Sequence, residues 1–133
     1  MTIQKNIPKP TEKELEILRI VWEKGAISVK DVHELMGGDE SNGYTTILKL
    51  MQIMHEKGHL TRQKSGKLHL YKAVVSQENT QQQLLDKMID TVFRGSAADL
   101  VMSALGNRKS SKGELKAIRE YLDQLERSEK GEK

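Results

Sequence analysis

The sequence predicts a mainly α-helical fold with one small β-hairpin, and three observations support this fold class. Apolar residues recur at three- and four-residue intervals through most of the chain, which is the period of amphipathic helices. Residues 67–71 alternate polar and apolar side chains after the turn pair Ser65-Gly66, as expected of a β-hairpin. The elements follow the order helix, short strand, helix, turn, helix, hairpin. That order is typical of a winged helix-turn-helix, and three more helices are predicted after it.

The start of the chain contains clear helix signals. Residues 1–10 are polar and include two prolines, which predicts a loose arm. The sequence Thr11-Glu12-Lys13-Glu14 is a capping box that begins the first helix, and Gly25 should end it. A minimal strand is predicted at residues 26–28, and Ser28 should cap a second helix.

The third helix and the hairpin carry the basic surplus of the chain. Residues 44–76 contain six Lys or Arg against one acid, Glu56, and their net charge of +5 exceeds the +3 of the whole chain. The six basic residues are Lys49, Lys57, Arg62, Lys64, Lys67 and Lys72. A helix that can enter a major groove, beside a basic hairpin that can contact phosphates, suggests duplex DNA as the partner.

Seven residues of this region are candidate DNA contacts. They are Tyr44, Thr45, Thr46, Lys49, Arg62, Lys64 and Lys67. The two threonines and Lys49 lie near the start of the third helix, off its apolar stripe, where base edges are reached. Lys49 can donate to guanine, and the threonines can bond to bases or phosphates or touch a thymine methyl group.

Each of the other candidates can either contact a DNA phosphate or have a purely structural role. Tyr44 can reach a phosphate through its hydroxyl group or pack against the second helix. The three basic residues beside the hairpin turn can position the protein on phosphates, or they can simply be solvated.

The residues after Val75 predict three amphipathic helices with wide apolar faces. These faces are too wide to be buried only against each other, and a second copy of the chain is the simplest partner. The alternative is that the helices fold back on the first domain as one monomeric core. The predicted dimerisation residues are Leu84, Leu85, Met88, Ile89, Val92, Phe93, Leu100, Val101, Leu105, Leu115, Ile118, Leu122 and Leu125. We therefore predict a DNA-binding domain at 1–76 and a helical dimerisation domain at 77–133.

Several classes of protein and of site are excluded or disfavoured by the composition. The chain has no cysteine, which excludes disulfides and thiolate metal sites. No apolar run approaches the roughly 20 residues of a membrane helix, and the N-terminus has no signal-peptide core, which predicts a cytoplasmic protein. His55 and His59 are four apart, but Gly58 should end the helix between them, and no metal site is predicted. No enzyme motif and no cofactor motif is present.

An ordered set of short motifs resembles the penicillinase-repressor family (BlaI/MecI type, with the copper repressor CopY as a relative). The set comprises Glu14-Leu15-Glu16-Ile17-Leu18 with Trp22, then Thr46-Ile47, Leu50-Met51, Lys57-Gly58 and the hairpin at Tyr71. The resemblance implies a homodimeric winged-helix repressor that binds an inverted-repeat operator. It also implies induction through a membrane sensor-protease that responds to β-lactams and leads to a cut in the dimerisation region.

The chain differs from the family pattern at several positions. It has Asn42-Gly43-Tyr44 where members often have Trp-Ser-Pro, and Thr45 where they often have a basic residue. The family's cleavage position, between an Asn and a Phe, aligns with Ser103-Ala104, which is the possible cleavage position here. The copper branch carries C-terminal cysteines, and this chain has none.

The leading hypothesis is a dimeric transcriptional repressor that occupies an operator. The sequence also allows two alternative functions. The winged helix can be a protein-interaction module whose basic hairpin binds an acidic partner, or the C-terminal half can bind a small ligand that controls DNA binding.

Overall fold

The computed structural model describes residues 7–37 and 42–131. These residues form helices α1 (Glu12–Lys24), α2 (Val29–Leu35), α3 (Tyr44–Lys57), α4 (Gln77–Thr91), α5 (Ala97–Asn107) and α6 (Lys112–Gly131), and strands β1 (Leu60–Ser65) and β2 (Leu68–Ala73). The strands pair as one antiparallel hairpin after α3. This order confirms the predicted winged helix-turn-helix followed by three helices.

Local signals in the sequence explain where the first helices begin and end. The Glu14 amide donates to Thr11 Oγ1 at 3.2 Å, and the Thr11 amide donates to Glu14 Oε1 at 3.0 Å, so the capping box forms as predicted. The Ser28 hydroxyl caps α2 by accepting the Asp31 amide at 3.2 Å. Helix α3 ends at Gly58, whose φ of 96° is a left-handed conformation that favours glycine.

The chain divides into two compact units, Met1–Lys87 and Met88–Lys133. The division lies inside α4 rather than at its start. In the first unit, α1, α2, α3 and the hairpin enclose one apolar core. The eleven buried core residues described are Ile17, Leu18, Val21, Ile27, Val29, Val32, Ile47, Met51, Met54, Leu60 and Tyr71.

Two contacts close the edges of this core. Ile27 pairs with Tyr71 through two backbone hydrogen bonds of 2.8 and 3.0 Å, which is the minimal strand predicted at residues 26–28. The Trp22 indole donates from Nε1 to the Val75 carbonyl at 2.9 Å. The end of the hairpin is therefore tied to α1.

The prediction of a loose arm at residues 1–10 is wrong for Ile7 and Pro8, while residues 1–6 lie outside the described part. Ile7 is buried, and its side chain lies over Gly58 at the end of α3. The ring nitrogen Nε2 of His59, which is buried, donates to the Pro8 carbonyl at 2.6 Å. Met1, Ile3 and Ile7 are the few apolar residues among polar residues and prolines here, and they predict no helix or strand, so the sequence could not indicate this packing.

The second unit has a different character. Among residues 88–129, whose exposure is described, none is buried. Ser96 and Ser111 cap α5 and α6 by accepting the Asp99 and Glu114 amides, each at 3.0 Å. The helices are therefore well defined locally, although most of their apolar residues are exposed.

Candidate nucleic-acid interface

Helix α3 has one buried face and one exposed face. Its buried stripe consists of Ile47, Met51 and Met54, none of which is exposed to solvent. The opposite side carries the outer ridge, which we define as Thr45, Lys49, Gln52 and Glu56, all exposed. These residues are four, three and four positions apart, which aligns them along the helix. The sequence therefore placed Thr45 and Lys49 correctly off the apolar stripe.

Tyr44 occupies the first position of α3 and contacts α2. Its ring meets the His33 ring edge-on, with the ring centroids 6.0 Å apart and the planes at 87°. Tyr44 is still 47% exposed. Packing against the second helix is thus present, and the hydroxyl role at a phosphate stays a prediction.

The register of the hairpin places two of its basic side chains on the inner face. Arg62 pairs with Tyr71 and Lys64 pairs with His69. Successive side chains of a strand point to opposite faces, so Arg62 and Lys64 share the face of the buried Leu60. The inner face of the hairpin is therefore apolar near α1 and basic toward the turn.

The turn of the hairpin is shifted by one residue from the sequence prediction. Ser65 ends β1, and the two turn residues are Gly66 and Lys67. Gly66 has φ 64°, which a two-residue hairpin turn requires and glycine supplies. Lys67 therefore projects from the tip, whereas Lys72 lies on the outer face of the hairpin, opposite Arg62 and Lys64.

A cavity of about 220 Å³ lies between α2, α3 and the hairpin. We call it the basic cleft, because Lys30, Arg62 and Lys67 line it and none of its described lining residues is acidic. Tyr44 and Gln52 line it from α3, and His69 lines it from β2.

The structure thus brings together some of the predicted DNA contacts and separates others. Tyr44, Arg62 and Lys67 meet in the basic cleft, whereas Thr45 and Lys49 lie on the outer ridge. Thr46 is exposed beside the ridge, and Lys64 is on the inner hairpin face without lining the cleft.

Three cleft residues were missed by the sequence reasoning, namely Lys30, Gln52 and His69. Gln52 could have been found, because it continues the helical spacing of Thr45 and Lys49. Lys30 and His69 reach the cleft through the packing of α2 on α3 and through the strand register, which the sequence does not specify.

Most of this chain matches the model of one protein family. The model described as penicillinase repressor matches residues 10–124. The chain belongs to the penicillinase repressor family. Its function is accordingly that of a DNA-binding transcriptional repressor and not of an enzyme, in agreement with the sequence prediction.

Similar proteins match this chain over most of its length. It is 20% identical over 120 residues to the penicillinase repressor of Bacillus licheniformis, covering 90% of this chain and 94% of the relative. It is 24% identical over 110 residues to the methicillin resistance regulatory protein MecI of Staphylococcus aureus (strain N315), covering 83% and 89%.

Solved structures with this fold include the transcriptional regulator Tm0710 from Thermotoga maritima. That match has a TM-score of 0.50 and 16% identity, and it covers 92% of this chain and 78% of the other. The solution structure of the DNA-binding domain of the repressor BlaI matches with a TM-score of 0.49 and 22% identity, over 55% of this chain and 89% of the other. The match to the Thermotoga protein covers 92% of this chain, so it includes residues that follow the winged helix.

One basic residue of this repressor, Lys57, forms an ion pair with a buried carboxylate. Lys57 Nζ donates to both carboxylate oxygens of Glu14, at 3.0 and 2.8 Å, and Glu14 is buried. Burial alone raises the pKa of the Glu14 carboxyl, but hydrogen bonds from Lys57 and from the Thr11 backbone, together with the Lys57 charge, lower it below its ordinary value. Lys57 therefore anchors the end of α3 to α1, and its charge is paired with Glu14 within the protein.

No cluster of three or more His, Asp or Glu side chains suited to a metal ion occurs within residues 7–37 and 42–131. No helix in this described part is both long and apolar enough to span a membrane.

Proposed function

We propose that this chain represses transcription as a homodimer that binds an inverted-repeat operator in the cytoplasm, with α3 and the hairpin of each subunit on one half-site. The observation that carries the proposal is the position of the basic cleft directly beside the outer ridge of α3. A ridge of exposed polar side chains suits a major groove, and a cleft lined by cations suits the phosphate backbone beside that groove.

The two surfaces are proposed to have different roles in recognition. Thr45, Thr46 and Lys49 contact base edges from the start of α3, where winged and related helix-turn-helix proteins read bases. Their chemistry fits a guanine for Lys49 and phosphates, bases or a thymine methyl group for the threonines.

The cleft residues are proposed to position the protein on the backbone. Arg62 and Lys67 supply charge from the hairpin, Lys30 supplies charge from α2, and the Tyr44 hydroxyl adds a hydrogen bond. Lys64, on the same hairpin face, extends the basic surface toward the tip. Phosphate contacts of this kind raise affinity for every duplex and make binding sensitive to salt.

The C-terminal helices are proposed to pair two copies of the chain. The exposed apolar residues of this region include Leu85, Met88, Val92, Val101, Leu115, Leu122 and Leu125. The half-buried ones are Leu84, Ile89, Phe93, Leu100, Leu105 and Ile118. Burying a leucine fully contributes about 1.5–3 kcal/mol, so a second copy that covers these faces gains a large free energy. We keep 1–76 as the proposed DNA-binding domain and 77–133 as the proposed dimerisation domain.

Induction by a membrane sensor-protease has less support within this proposal. Ser103 and Ala104 are exposed but lie inside α5. A protease needs an extended substrate, so α5 would have to unfold locally before the chain could be cut there. Co-expression with a sensor-protease of this kind, followed by mass spectrometry of the repressor, tests the route. Fragments that end at Ser103 support it, and an intact chain contradicts it.

The proposed function is tested by selection from a random duplex library, followed by titration of the selected duplex. A repressor should select an inverted repeat with half-sites about one duplex turn, roughly 34 Å, apart. It should bind that duplex about 10³-fold more tightly than a scrambled one. Equal affinity for all duplexes would instead favour the alternative of a basic surface that binds an acidic protein partner.

A further inference from the structure

Ile53 is an apolar side chain on the exposed side of α3. It is 38% exposed, although the buried stripe of the same helix is completely covered. Leu48 and Leu50 are half-buried and pack against the core of the first unit, whereas Ile53 is not among the described residues that do so. Part of the Ile53 side chain is therefore accessible to a partner.

The position of Ile53 aligns it with two proposed base contacts. It follows Lys49 by four positions and Thr46 by seven, which places the three side chains along one line of the helix. At 1.5 Å per residue this line is about 10 Å long and fits within a major groove about 12 Å wide. Successive residues of a helix are about 100° apart, so Ile53 is turned away from Gln52 and from the basic cleft.

The chemistry of an aliphatic side chain restricts what it can recognise in that groove. Ile53 has no hydrogen-bonding atom, so phosphate oxygens and the polar edges of bases cannot hold it. Among the groups that base pairs present in the major groove, the C5-methyl group of thymine is the apolar one. Single exposed apolar residues are common on protein surfaces. What distinguishes Ile53 is that it lies along the same line of α3 as Lys49 and Thr46.

We propose that Ile53 packs against the C5-methyl group of one thymine in each half-site, and that it thereby sets a preference for a T·A pair at that position. This inference rests on the proposed function, because it requires the exposed side of α3 to face a duplex. It specifies which base, thymine, and which chemical group of that base, the C5-methyl group, α3 recognises in the operator.

Replacing thymine by uracil tests the contact, because this change removes only the C5-methyl group. Each thymine of the selected operator is replaced in turn, and the affinity of the wild-type protein is measured. One replacement per half-site should weaken binding by about three- to tenfold, the scale expected when one methyl-sized group loses its burial. The Ile53→Ala protein should bind the thymine and uracil duplexes equally. For Ile53→Val, the loss of affinity on replacing thymine by uracil should lie between those of the wild type and of Ile53→Ala.

Leu35→Ala provides the matched control. Leu35 is 52% exposed at the end of α2 and lies outside both the ridge and the cleft lining. This variant should keep the thymine sensitivity of the wild type. The inference is overturned if no uracil replacement weakens wild-type binding, or if Ile53→Ala retains the same sensitivity. A library selection that yields no preferred duplex is a different result, since it contradicts the proposed function itself.

Discussion

The two units of this repressor bury their apolar residues very differently. In the first unit, side chains from α1, α2, α3 and the hairpin converge on eleven buried core residues. In the second unit, no described residue is buried, and Val92, Met102 and Leu122 are each more than half exposed. The first unit thus has the core of an independently folded domain. The second has exposed apolar faces, which in the proposed function are covered by a second copy of the chain.

This contrast predicts different consequences for a leucine or isoleucine removed from each unit. Ile47→Ala, in the buried stripe, should lower the free energy of unfolding by about 2–5 kcal/mol at any protein concentration, because it leaves a cavity. Leu122→Ala, on α6, should have an effect that depends on protein concentration, because it weakens only the proposed dimer. Urea denaturation of both variants at two concentrations measures the difference. A concentration-independent loss of similar size in both would remove the distinction between the units.

A stronger change in α6 should separate dimerisation from folding. Replacing Leu122 and Leu125 by Asp should yield monomers in sedimentation experiments, since two charges on one apolar stripe are costly to bury. Operator affinity should fall by about 10²-fold or more, because linked binding of two half-sites is lost. The circular dichroism of the first unit's hairpin and helices should persist. A double variant that remains dimeric would contradict the proposed interface.

The ion pair inside the first unit predicts a pH dependence of stability. The pKa of Glu14 in the folded state lies below its ordinary value of 4.5, so its contribution to stability is present above that value and is lost as pH falls through the lowered pKa. Glu14→Gln should lower stability at neutral pH by about 1–3 kcal/mol, because Lys57 loses its charged partner. The variant should also lose less stability than the wild type on acidification below pH 4.5. Thermal melts from pH 7 to pH 3 measure this, and parallel curves would count against the role of the ion pair.

The smallest predicted effect distinguishes the tip of the hairpin from its outer face. Lys67→Ala should weaken binding to all duplexes alike and reduce the slope of log affinity against log salt by about 1. Lys72→Ala is the matched control, because Lys72 lies on the outer face and outside the described lining of the basic cleft. Its salt slope should equal that of the wild type. An unchanged slope for Lys67→Ala would show that the hairpin tip does not contact phosphate.

The sequence predicted the order of elements because each has a local cause. The capping box at Thr11, the cap at Ser28 and the left-handed Gly58 mark the helix ends, and the period of apolar residues marks the buried faces. What it could not predict depends on contacts between distant segments. Ile7 lies over Gly58. Lys30 lines the same cleft as Arg62 and Lys67 only because α2 packs beside α3 and the hairpin.

The candidate site was predicted in composition but not in arrangement. Helical spacing placed Thr45 and Lys49 on the exposed side of α3, and charge counting pointed to the hairpin. The sequence treated all the basic residues there alike, whereas the structure assigns Arg62 and Lys67 to the cleft and pairs Lys57 with Glu14. Strand register and side-chain pairing produce these differences, and neither is encoded in local composition.

In the proposed function, two copies of the chain each place α3 and the hairpin on one half of the same operator. Sedimentation of the protein with the selected inverted repeat, and with a duplex that keeps only one half-site, tests it most directly. We expect two chains on each inverted repeat and an affinity about 10²-fold lower for the single half-site. One chain per duplex, with equal affinity for both duplexes, would contradict it.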